Sequence, residues 1–162
     1  MAWVKVNNGK KIPPIPVGQT YTNSVYLNAP VWGGGQNHNQ SVIINTKKAK
    51  TLTIQLYRYM EVYASGSQGE PGHYTWESSC DGNCVFNFIV NGRNYSSVRM
   101  DIGSTNNGWV RKNDSNTITI TDLPKGECEF QYNISSLNAW QNGGQLDPHF
   151  GVQFRFTIIG VT

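Results

Sequence analysis

Histidine is the first side chain to test for chemistry, and it occurs at His38, His73 and His149, within Asn-His-Asn, Gly-His-Tyr and Pro-His-Phe. A metal centre needs several ligands at close spacing, and only His149 has one nearby, Asp147, so no metal is expected. Gly33-Gly34-Gly35 lacks the spacing of a phosphate cradle and the Lys-Ser/Thr pair that follows one, and no cofactor is expected. The serines include no Gly-x-Ser-x-Gly elbow. Glu70, Glu77, Asp81, Asp101 and Asp147 offer no spacing that selects a catalytic carboxylate pair. An enzyme is therefore not expected.

Cys80-Asp-Gly-Asn-Cys84 places two thiols around residues that favour turns. A hairpin there would bring their Cα atoms within disulfide reach, and a Cys80–Cys84 bridge is expected in an oxidising environment. Cys128 is then a buried thiol, although a Cys84–Cys128 pairing stays open.

The aromatic and amide residues carry a stronger signal. Trp32, Trp76, Trp109 and Trp140 lie beside Gly-, Asn- or Ser-rich stretches. A sugar presents C–H faces that stack on aromatic rings and hydroxyls that pair with amides and carboxylates. The candidate ligand-binding residues are Trp32, Gln36, Asn37, His38, Asn107, Trp109, Trp140, Asn142, Asp147 and His149. The plainer alternative is that these indoles plug the core beneath the loops.

The elements that would position them start with Thr51 to Tyr63. Alternation puts Leu52, Ile54, Leu56, Met60 and Val62 on a core face and Tyr57, Tyr59, Glu61 and Tyr63 on the other. Arg58 interrupts the apolar face, and the half of the strand beyond it is expected to project past the sheet. Tyr57, Tyr59 and Tyr63 are candidate partner-binding residues, against the plainer reading that they cover a neighbouring strand. Ser41 to Asn45 is expected to form a hairpin with this strand across the Lys-rich 46–50.

Residues 84–90 and 95–102 alternate around Asn91-Gly92, a hairpin turn signal. Val152, Phe154, Phe156 and Ile158 share one face of a final strand, 149–161, which is expected to be central. Lys112 to Asn116 reads as a turn between two short strands, and Ser135 to Gln141 as a helical turn. The whole is an all-β, antiparallel, jelly-roll-like sandwich of roughly nine or ten strands without substantial helix. At 162 residues, 1–162 is expected to be a single domain.

A net charge of +3 with 14% charged residues is too small and too scattered to favour nucleic-acid phosphates. No apolar run reaches transmembrane length, and the N-terminus lacks a secretory apolar stretch. Either a leader was removed or the protein leaves the cytosol by another route, such as lysis. The localisation expected is extracellular or virion-associated.

Three functions compete. The leading one is a non-enzymatic, lectin-like recognition module for a glycan or cell-surface polymer. The second is a virion or other assembly protein, a homo-oligomer formed through the Tyr-lined strand. The third is a β-rich pore-forming toxin that uses 57–72.

Overall fold

The computed structural model describes residues 4–5, 11–12, 21–28, 36–46, 49–64, 79–105, 108–124, 126–142 and 149–162. Two short strands, β1 (Val4–Lys5) and β2 (Lys11–Ile12), pair with each other. Eight longer ones follow: β3 (Tyr21–Asn28), β4 (Gln36–Asn45), β5 (Leu52–Ala64), β6 (Ser79–Val90), β7 (Arg93–Thr105), β8 (Gly108–Ile120), β9 (Glu127–Asn142) and β10 (His149–Val161). They form two antiparallel four-stranded sheets, ordered β3-β10-β5-β8 and β4-β9-β6-β7. This is an all-β sandwich, and no helix occurs among the described residues.

The pairing is nested. β6 pairs with β7, β5 with β8, β4 with β9 and β3 with β10, so the chain folds like one long hairpin wound across two sheets. Its tip is Asn91-Gly92, where φ values of 47° and 79° fit the two left-handed positions of a type I′ turn. The amide of Asn91 donates to Glu129 O, and its side-chain Oδ1 accepts from Glu129 N, tying the tip to β9.

Strict alternation makes the core. Phe86, Phe88, Phe130 and Tyr132 of one sheet meet Phe154 and Phe156 of the other, with centroids 5.2 Å apart for Phe88–Phe156 and 5.6 Å for Phe86–Phe154. β10 lies between β3 and β5, the central place expected of the final strand.

Several expectations are corrected. β5 does not project: it pairs with β10 and β8 along its length, Tyr63 opposite His149 and Ala64 opposite Gly108. Arg58 is buried. Its guanidinium donates to Asp114 Oδ2 (Nη2, 2.8 Å; Nε, 3.2 Å), Asn116 Oδ1 (2.8 Å) and Ser96 Oγ (3.4 Å), which compensates a charge that burial alone would penalise. β4 pairs with β9 rather than with β5, and the segment after β4 crosses to the other sheet. Residues 112–116 and 135–141 are strand, within β8 and β9. The sandwich therefore has eight strands, with β1 and β2 as a separate short pair.

The Cys80–Cys84 bridge is also corrected. Both thiols lie in β6, four residues apart in an extended strand, roughly 13 Å at the usual rise and far beyond disulfide reach. Cys84 is no nearer Cys128: Val85 faces Ser135 on β9, whereas Cys128 lies beyond the end of the β6–β9 pairing. All three cysteines are free and buried.

Candidate ligand-binding site

One end of the sandwich gathers the strand ends that flank 29–35, 65–78, 106–107 and 143–148. Tyr63 stands opposite His149, Ala64 opposite Gly108 and Gly151 opposite Asn28; on the other sheet Ser79 stands opposite Thr105 and Asn142. Trp32, Asn107 and Asp147, with His73 and Trp76, lie outside the described residues.

The outward face of the first sheet at this end unites two sets of residues that the sequence kept apart. Across β8, β5 and β10, Trp109, Tyr63 and His149 form one row, and Arg111, Glu61 and Gly151 the next. The Trp109 ring is 5.0 Å from Tyr63 and 5.1 Å from His149, and the Arg111 guanidinium lies 4.9 Å from the indole centroid. Trp109 is nevertheless 46% exposed, because β8 is the edge strand and no described strand flanks it on its outer side in the sheet.

Glu61 organises the polar part. Tyr59 Oη donates to its Oε2 at 2.6 Å, and Arg111 Nε donates to the same oxygen at 3.4 Å. His149 Nε2 lies 3.1 Å from Oε1; since a carboxylate only accepts, that nitrogen carries a proton. Burial pushes the Tyr59 phenol above its ordinary pKa, and the Glu61 hydrogen bond adds to the effect, so Tyr59 remains a donor. With both oxygens engaged, Glu61 anchors its neighbours rather than standing ready as a general base. Further along the strand, the Arg155 guanidinium caps Tyr57 at 4.5 Å.

The remaining candidates fall elsewhere. Gln36 opens β4 and Asn142 closes β9, both on the second sheet. Asn37 Oδ1 accepts from Ser136 N, and Nε2 of His38 is buried with no hydrogen-bond partner among the described residues. Trp140, 47% exposed, stands on the outer face of the second sheet, away from Trp109. The structure thus joins Trp109, His149, Tyr59 and Tyr63 and separates them from Trp140 and from Asn37 and His38. Among the described residues no His, Cys, Asp and Glu side chains cluster to hold a metal.

Glu61 and Arg111 join the site without a signal in the sequence strong enough to select them. Their link spans fifty positions, and only strand register reveals it. One local signal was available: Glu61 is the single acid between Tyr59 and Tyr63 on an outward face.

No family model matches the chain, and no curated protein matches it. Among solved structures, a chain of "Structure of infectious bursal disease virus Gx strain" aligns over 92% of this chain and 46% of its own length, at 9% identity and a TM-score of 0.26. The present chain thus spans under half the length of that one, a similarity too slight to assign a function.

Proposed function

We propose that the protein is a non-enzymatic recognition module, lectin-like, that binds a glycan or cell-surface polymer on the Trp109 platform. One observation carries the reading: a half-exposed indole is held in place by Tyr63, His149 and Arg111 beside an oriented carboxylate. Such a ring offers a stacking face at little entropic cost, and Tyr59, His149, Arg111 and Glu61 supply donors and acceptors for hydroxyls at its margin. We infer further that the nested eight-strand order is that of a jelly roll, built from two Greek keys, and that the setting is extracellular or virion-associated.

Trp109→Ala should weaken oligosaccharide binding by roughly tenfold or more without changing the far-ultraviolet circular dichroism, the equivalent of about 1.4 kcal/mol. A glycan array without hits, together with unchanged tryptophan fluorescence on titration with mixed oligosaccharides, would reject the reading.

A second reading, an assembly protein, is favoured by β8. As an edge strand it leaves nine of its thirteen residues exposed, including Val110 (39%). A second copy covering that edge would show as a dimer or larger species in size-exclusion chromatography with light scattering, and a monomer at micromolar concentration would exclude it.

A further inference from the structure

On the outer face of the second sheet, register lines up Trp140, Asp81 and Gly103 in one row across β9, β6 and β7, and Asn138, Asn83 and Asp101 in the next. Together with Gly82 and Ile102, five of these residues, all but Asn138, line an open groove of about 370 Å³, a volume within the range of small-ligand sites. Trp140, at its wall, is 47% exposed.

The floor is shaped for a polar ligand. A Cβ on Gly103 would collide with the Asp81 carboxylate, so glycine is what lets that carboxylate lie across β7. Asp81 is half-buried, yet among the described residues it has no hydrogen-bond or ion-pair partner. Asp101, by contrast, is neutralised by Arg99, with Nη2 donating to Oδ1 at 2.9 Å. Asn83 Oδ1 accepts from Asn138 Nδ2 at 3.3 Å, which commits the oxygen of that amide and leaves its NH2 to donate. An acceptor without a donor, a spare donor and an exposed aromatic face therefore meet in one groove.

We propose that this groove is a second glycan subsite, which takes one neutral hexose ring stacked on Trp140, its hydroxyls donating to Asp81 and accepting from Asn83. The ligand class rests on the lectin-like reading above, but the site is separate from the Trp109 platform. Because Asp81 has no cationic partner among the described residues, the groove disfavours uronates and other acidic sugars. The two sites lie on outer faces of opposite sheets, a geometry that lets one molecule engage two glycan chains and raises avidity by linkage.

The test is nuclear magnetic resonance of the tryptophan indole N–H signals in the full chain, titrated with neutral cello-, manno- and N-acetylglucosamine oligosaccharides and with an oligogalacturonate. At least one neutral oligosaccharide should shift the Trp140 signal, whereas the oligogalacturonate leaves it in place. Gly103→Ala, which displaces the carboxylate, and Asp81→Asn, which keeps its shape, should each weaken the Trp140 response at least tenfold and spare that of Trp109. A Trp140 signal unmoved by every neutral oligosaccharide overturns the groove, and so does a response that disappears with EDTA, or one indifferent to both substitutions. If Trp109 responds and Trp140 does not, the groove fails and the platform stands. If Trp140 alone responds, the platform fails and the groove stands; silence at both indoles rejects both.

Discussion

Cys80, Cys84 and Cys128 are three buried free thiols that behave as small apolar side chains, in place of the expected bridge. Burial pushes the Cys80 thiol up to about 11, with the Asp81 charge adding to it. Burial and then Asp101 push Cys84 to about 12, against the opposing effect of Arg99, and burial takes Cys128 to about 11. In the unfolded chain each ionises near the ordinary value of 9.0. Between pH 9 and 11 the unfolded state therefore releases thiol protons that the native state keeps, and stability falls as pH rises, on the order of 1 kcal/mol per thiol per pH unit. Below pH 9 this contribution is fully present. Lysines and tyrosines titrate in the same window, so the reference is the Cys80→Ala, Cys84→Ala, Cys128→Ala triple variant. Urea midpoints of the wild type should decline more steeply above pH 9 than those of the triple variant; parallel curves would show that the thiols are not sequestered. Native protein at pH 8 should react with no thiol reagent, and the unfolded chain with three equivalents.

Which elements were legible follows from what breaks an alternation. Residues 84–90, 96–102 and 149–158 alternate beside clear turn chemistry and form β6, β7 and β10 as expected, with register shifts between Phe88 and Ile89 in the β6–β7 pairing and between Ile158 and Gly160 in β10. Where Gly, Asn, Asp or Ser enter a strand, turn chemistry suggested a break that tertiary packing overrides. Asp81-Gly82-Asn83 is strand because Gly82 faces Phe150 of the opposite sheet, and a Cβ there would run into the ring. Lys112, Asp114 and Asn116 sit on the inner side of β8 because an edge strand tolerates polar groups there, and Asp114 and Asn116 serve the buried Arg58. In β9, Ser136 takes a φ of 51°, an irregularity near the register shift opposite Val85 that resembles a helical turn in sequence alone. Gly82→Ala should therefore cost about 2 kcal/mol by overpacking. Gly108→Ala, where a Cβ meets open space, should change stability by less than about 0.5 kcal/mol. Equal urea midpoints for the two variants would mean that Phe150 does not pack against β6 as described.

At the scale of the whole molecule, nested pairing orders folding by sequence distance. The β6–β7 hairpin joins neighbours across a two-residue turn, whereas β3 and β10 pair residues such as Val25 and Phe154 from opposite ends of the chain. Loop-closure entropy disfavours those distant contacts until nearer ones shorten the effective loop, so folding is expected in the slow, millisecond-to-second or longer range of β-sandwiches. This nesting was hidden in the sequence, because alternation reports which face of a strand is buried and is silent about which strand lies beside it. The expected Ser41–Asn45 hairpin with β5 does not form for that reason: adjacency in sequence suggests pairing, while each strand finds its partner across the nest. If the hairpin forms first, Gly92→Ala, which forces a Cβ into φ 79°, should cost about 1 kcal/mol and slow folding by roughly fivefold, with little change in the unfolding rate. Phe156→Leu, in a strand that docks late, should cost a similar amount but act mainly by speeding unfolding. Stopped-flow chevrons of the two variants separate these outcomes. A Gly92→Ala chevron shifted only in its unfolding arm would place the hairpin after the outer strands and reverse the proposed order.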